Sequence, residues 1–238
     1  MPAPGMHSGL PTDDAMNLAM SEAAVPLYEK VVAFIRDEID PVTEEYFRLG
    51  HGRADRWGYG EGQLELLDGV KARAKAAGLW NFFLPDAETG EGLSNLDYAY
   101  IANELGKNPI ASECLNCSAP DTGNMEVLER VGTPEQKERW LKPLLAGEIR
   151  SAFAMTEPDV ASSDARNVQC AAVRDGDEWV INGEKYYISG AGDPRCKVMI
   201  VMVRTSPDGP PHRQQSQILV PMDTPGIEIL GPMHVFGE

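Results

Sequence analysis

The chain has 238 residues, 42% of them hydrophobic, and a formal charge of −16 from 21 Lys and Arg against 37 Asp and Glu. That length suits one large domain or two small ones, and the apolar content is enough for a packed core, which excludes global disorder. Nucleic acid and anionic membrane surfaces would repel such a chain on average, so neither is expected as a partner.

Residues 1–20 read as a mobile tail. They have no basic start, no apolar h-region and no Arg-rich character, so they resemble neither a secretory signal nor a mitochondrial presequence. Residues 21–150 read as a helical domain. From Val25 to Phe47 the apolar positions Val31, Val32, Ile35, Ile39 and Val42 fall near the helical period, with Pro41 as a kink or break. Gly50 to Gly62 is a Gly-rich loop. Leu64 to Ala77 is a second helix, striped by Leu64, Leu67, Val70 and Ala74 and stopped by Gly78. Ser94 is an N-cap for a helix through Leu105. Thr133-Pro-Glu-Gln136 opens another, with proline in the first turn and Gln three residues past Thr133, running through Lys137, Trp140 and Leu144 to Gly147.

Near Arg150 the pattern changes to short strands, so residues 151–238 read as a small antiparallel β domain and the fold class is α+β. Val168–Arg174 and Glu178–Ile181 flank the turn Asp175-Gly176, and Asn182-Gly183 is a second hairpin signal. Lys197–Arg204, Gln217–Val220 and Ile227–Leu230 are further strands, and Ser206-Pro-Asp-Gly-Pro-Pro211 is an exposed loop. The longest apolar strip, Val198–Val203, is far too short to span a bilayer.

Cys114 and Cys117 form a C-x-x-C, but Cys170 and Cys196 are isolated and no second pair stands at ligand spacing. These four are expected to be ordinary thiols of a reducing cytoplasm, with no metal site.

Two segments carry the chemistry. Phe153-Ala-Met-Thr-Glu-Pro-Asp-Val-Ala-Ser-Ser-Asp164 is a turn rich in hydroxyls and small residues, which offers donors to an anionic or carbonyl-rich ligand. About twenty residues on, Lys185-Tyr-Tyr-Ile-Ser-Gly190 offers paired aromatics and a hydroxyl, a wall for a flat ring. Each alone reads equally as an ordinary turn or an edge strand.

Together with Gly132-Thr-Pro-Glu-Gln-Lys-Glu-Arg-Trp-Leu-Lys-Pro-Leu-Leu-Ala-Gly-Glu-Ile149 and Asn116-Cys-Ser-Ala-Pro-Asp-Thr-Gly-Asn-Met-Glu-Val127, they resemble the acyl-CoA dehydrogenase family, over Val25 to Glu238 and most closely its branch of members ten and eleven. The resemblance implies FAD as cofactor. By position Phe153, Met155 and Thr156 would lie along the flavin, with Thr156 on the pyrimidine side and Ser162 near the diphosphate. Tyr187 stands for the usual tryptophan, and Ser189 for the threonine that faces flavin N5. Asp159-Val-Ala-Ser-Ser-Asp164 is one residue longer than the family's pattern, so the register between Ser162 and Ser163 stays open.

The resemblance further implies α,β-dehydrogenation of an acyl-CoA thioester, electron-transfer flavoprotein or a similar acceptor, and a homo-oligomer. The family's C-terminal four-helix domain, which holds its catalytic glutamate, is not in this stretch. A truncated or split form, inactive alone and associating with a missing half, is therefore expected. No catalytic residue is named. Glu157 in the loop and Glu104 on the Ser94 helix are carboxylates near the expected site, with loop-ordering and solvated-charge roles as their simpler explanations. Two other readings stay open: a non-catalytic binding or interaction module, and a relative that oxidises another substrate.

Overall fold

The structure, a computed structural model, describes residues 18–53, 55–85 and 90–233. Most of the expected N-terminal tail and the last five residues lie outside these. A helical domain comes first and a curled mixed sheet follows.

Helices α1 (Val25–Phe34) and α2 (Asp40–Gly50) are one continuous rod, joined by a π-helical turn at Ile35–Ile39. Pro41 has no N–H to give, and its ring would strike the carbonyl four residues back. The widened turn removes that clash, because Asp40 N–H bonds Ile35 O, five residues back. The chain repeats the device later. A capping box at Thr133 starts α7 (Pro134–Gln136), a π turn covers Lys137–Leu141, and α8 (Lys142–Leu145) begins immediately before Pro143. Pro41, expected to break or kink its helix, thus sits just past a wide turn in an unbroken one, and so does Pro143.

Helix α3 (Gln63–Ala76) ends where Gly78 takes a φ of +70°. Gly78 N–H bonds Lys75 O and Leu79 N–H bonds Ala74 O, the paired bonds of a glycine C-terminus. Helix α4 (Asn95–Leu105) is capped by the Ser94 side chain, which accepts from Asp97 N–H. Helices α5 (Ala111–Cys114) and α6 (Asp121–Val131) complete the domain. The last carbonyls of α8 are not left bare: Trp80 Nε1 and Asn81 Nδ2 donate to Leu145 O at 2.7 and 2.9 Å. A core of Val31, Ile39, Leu67, Phe82, Leu84, Ile101, Leu105 and Leu128 fills the space between these helices.

The sheet is built on its longest strand, β4 (Cys196–Arg204). Along one edge β5 (Gln215–Pro221) runs antiparallel from Val198↔Pro221 to Arg204↔Gln215. The other edge is shared. β1 (Arg150–Ala154) pairs with it in parallel, and β2 (Ala171–Asp175) takes over at Arg204↔Ala171, also parallel. β3 (Glu178–Asn182) closes a hairpin on β2 across Gly176. The antiparallel expectation therefore holds for two pairings, while two others are parallel. One of these involves β1, a strand with no hairpin signal of its own, and the other is made by β2, which meets β4 at the end of the segment 155–170. Asn182-Gly183 does not open a second hairpin; Gly183 instead packs its bare α-carbon on Cys170. Residues 227–233 carry no strand, because the chain turns at Pro225-Gly226 and leaves the sheet. A second, smaller core of Ala154, Val168, Ala172, Val201, Val203 and Val220 lies in this sheet.

Candidate functional site

The loop that leaves β1 is folded around one buried carboxylate. Glu157 accepts from the backbone N–H groups of Gln169 and Cys170 at 2.7 and 2.9 Å. Lys185 Nζ donates to it at 2.8 Å and to Met155 O at 2.9 Å. Burial alone would raise the Glu157 carboxyl; Lys185 and the two amides outweigh it and hold it below its ordinary value. Glu157 is thus a loop anchor with its lone pairs spoken for, and no sign of a base remains in it.

The second segment is bonded to the first. Tyr186 N–H donates to Thr156 O at 3.0 Å. From there residues 186–190 run back along β1, until the Gly190 α-carbon comes up against Ser151 O. Tyr187 is held at a φ of +53°, a left-handed backbone that is costly for a bulky side chain, and the residue is 52% exposed. That ring meets Tyr186 edge-on, with centroids 4.8 Å apart. Met155 and Phe153 are half-buried, while Thr156 and Ser189 are exposed. Neither exposed hydroxyl has a hydrogen-bond partner among the described residues.

Ser162 departs from this group. It is 2% exposed, and its Oγ accepts from Glu157 N–H at 2.9 Å, beneath the loop. The neighbouring Ser163 is exposed. The structure therefore gathers Phe153, Met155, Thr156, Tyr187 and Ser189 along β1 and its loop, and turns the Ser162 side chain inward.

Sequence reasoning missed a cluster of six charges at the junction of the two domains. Glu113, on α5, pairs with Lys71 at 3.0 Å, Arg150 at 2.9 Å and Arg195 at 2.6 Å. Arg150 also pairs with Asp121, whose other oxygen accepts from Ser151 N–H at 2.7 Å and from its hydroxyl at 2.6 Å. Arg195 pairs with Asp193 at 2.7 Å, and Tyr59 donates to the same carboxylate at 2.7 Å. Burial would lift the Glu113 carboxyl, but Arg150, Lys71 and Arg195 together hold it at about 2. Burial, then the bond to Asp193, raises the Tyr59 phenol. The members come from five separate stretches of chain, and each alone looks like a surface charge, so no spacing marked them.

The remaining candidates have local explanations. Glu104 accepts from Tyr28 Oη at 3.1 Å and pairs with Lys107 at 2.7 Å, a tie between α1 and α4. Cys114 and Cys117 are buried free thiols, each pushed up to about 12 mainly by burial. Among the described residues no group of His, Cys, Asp and Glu could hold a metal ion, and no helix is long and apolar enough to cross a membrane.

Comparison with known proteins gives this geometry its context. Residues 21–148 match the model of the acyl-CoA dehydrogenase N-terminal domain, and residues 152–238 that of the family's middle domain. Mouse acyl-CoA dehydrogenase family member 10 is 49% identical over 223 residues, which are 92% of this chain and 20% of that protein. A solved Mycobacterium abscessus protein, provisionally assigned as an acyl-CoA dehydrogenase, has a TM-score of 0.83 and 49% identity, over 92% of this chain and 55% of its own. A glutaryl-CoA dehydrogenase from Mycobacterium smegmatis, solved in complex with FADH2, has a TM-score of 0.63 and 25% identity, over 90% of this chain and 48% of its own. The chain thus spans about half the length of these solved structures and a fifth of the mouse protein. It belongs to the acyl-CoA dehydrogenase family, of which it holds the N-terminal and middle domains.

Proposed function

We propose that this chain forms the flavin-facing part of an FAD-dependent acyl-CoA dehydrogenase that carries out α,β-dehydrogenation of an acyl-CoA thioester. One observation carries the reading: Thr156, Tyr187 and Ser189 are exposed on two segments joined by the bond from Tyr186 N–H to Thr156 O. The donor set suits FAD. Hydroxyls and a backbone edge match the carbonyls and ring nitrogens of a pyrimidine, and an exposed aromatic held in a strained backbone suits a flat ring system.

When bound, FAD supplies a two-electron acceptor, which no side chain of the protein can provide. The protein's own part is to bind and orient. Thr156 and Ser189 would donate hydrogen bonds to the flavin, Phe153 and Met155 would give it apolar contact, and Tyr187 would shield it from water. Ser162 supports the loop through Glu157, which leaves the exposed Ser163 hydroxyl as the better candidate for the diphosphate. No catalytic base is assigned. Electron-transfer flavoprotein or a similar acceptor, and a homo-oligomeric assembly, belong to the same proposal.

The test is an FAD titration of the protein that carries this chain, followed by anaerobic addition of acyl-CoAs of graded length. Saturable FAD uptake and bleaching by one length class are expected. Losing one hydroxyl in Thr156→Ala removes about 1 kcal/mol, or about fivefold in FAD affinity. A folded protein that takes up no FAD would sink the reading and leave the non-catalytic interaction module.

A further inference from the structure

We propose that Trp57 and Tyr59 are positioning residues for Ser189, holding its hydroxyl at the flavin edge from the opposite domain. The inference rests on the flavin-site reading above and adds a strut to it.

The loop between α2 and α3 belongs to the helical domain, yet its tip touches the turn that follows Ser189. A Cβ on Gly192 would lie 2.0 Å from Trp57 Cδ2 and 2.2 Å from Cε3, so the indole is packed flat against bare backbone there. Two residues on, Tyr59 Oη donates to Asp193 Oδ2 at 2.7 Å and accepts from Arg195 Nη2. The Arg195 guanidinium lies 4.7 Å from the centroid of the same ring. The turn is itself tightly bonded: Ala191 N–H to Ile188 O at 3.3 Å, Asp193 N–H to Gly190 O at 3.1 Å. Whatever fixes Gly192 and Asp193 therefore fixes Ser189 as well. The strut is braced at its base, where Gly60 sits so close to Leu49 O that a Cβ would fall 1.7 Å from it. Gly60 N–H also donates to Gln63 Oε1 at 3.0 Å.

Ser189 is exposed and has no bond of its own among the described residues. The turn's own bonds carry its backbone, and the contacts described above that reach this turn from the helical domain come from Trp57 and Tyr59. Such residues act on how a bound ring is met, more than on whether it is held.

Two readouts test this. The first is amide hydrogen exchange over residues 188–193, without cofactor, in Tyr59→Phe, Trp57→Ala and Gly192→Ala. Each is expected to speed exchange there by about tenfold and leave residues 155–162 unchanged. Gly192→Ala should be tolerated in the Trp57→Ala background, where the ring it strikes is gone; this pair also covers the case in which Trp57→Ala alone folds poorly. Unchanged exchange in Tyr59→Phe overturns the proposal. The second is the absorption spectrum and reduction potential of bound FAD in a double-mutant cycle of Tyr59→Phe with Ser189→Ala. Non-additive shifts support positioning through Ser189, and strictly additive ones overturn it. If Ser189→Ala alone is silent on the flavin while exchange still rises, it is the flavin reading that fails, and the strut is then purely structural.

Discussion

The charge cluster at the domain junction and the exposed hydroxyls of Thr156 and Ser189 are built by opposite rules. In the cluster every charge has a partner: Lys71, Arg150 and Arg195 are set against Glu113, Asp121 and Asp193. Along the loops Thr156 and Ser189 have none among the described residues, and Tyr187 spends backbone strain to stay exposed. A buried polar group left unpaired is expensive, whereas an exposed one is solvated at no cost until a ligand takes the place of water. The difference separates what holds the domains together from what is kept available.

The sharpest way to break the comparison is Glu113→Ala. It takes the paired acid from Lys71 and one of two acids each from Arg150 and Arg195, and losing one member of a buried ion pair costs about 3 kcal/mol or more. A drop of that size in urea unfolding is expected; a loss below about 1 kcal/mol would place the cluster among weak surface pairs.

Acid should find the same group. The Glu113 carboxyl falls from its ordinary 4.5 to about 2 on folding, so the native state binds fewer protons than the unfolded chain. Its stabilisation is complete above about 4.5 and is withdrawn as the pH falls toward about 2. Acid unfolding followed by circular dichroism should steepen across that window, and Glu113→Gln should flatten it. An identical profile in the variant would mean that other carboxylates set the acid limb.

Glu157→Ala comes next. It lies in the loop proposed for the flavin but obeys the rule of the cluster, since its loss leaves the N–H groups of Gln169 and Cys170 without an acceptor and Lys185 with Met155 O alone. About 2 kcal/mol of stability is expected to go, together with FAD binding. FAD affinity unchanged in this variant would break the link between loop order and ligand. The smallest effect belongs to the exposed hydroxyls. Thr156→Ala and Ser189→Ala should shift stability by no more than about 0.5 kcal/mol while altering FAD uptake or its spectrum. A large stability loss in either would show that the hydroxyl has a structural task.

The local signals in the sequence were enough for most of the helical domain. Ser94, Gly78 and the Thr133 capping box mark their helix ends through bonds made within a few residues. The two segments proposed for the flavin stood out for a similar reason, since each is a short run whose composition differs from its surroundings. Three things were not legible. The wide turns before Pro41 and Pro143 depend on a tertiary core that keeps the helix whole on both sides of a proline. Helix α6 has its buried face made partly of Asp121 and Asn124, bonded to β1, so apolar periodicity understates it. The inward turn of Ser162 depends on Glu157 and hence on Lys185, which lies beyond the β2–β3 hairpin.

The junction cluster has one more consequence, for the rate at which the protein meets its ligands. Its three positive and three negative groups sum to zero, so the whole net charge of −16 is carried by the rest of the chain. The long-range field of this stretch is therefore repulsive to anions, and a phosphate-bearing ligand such as the proposed FAD would approach it uphill. Added salt shortens the reach of that field to about 10 Å at 0.1 M. Encounter with such ligands should accelerate as ionic strength rises, the reverse of the slowing seen where opposite charges steer partners together.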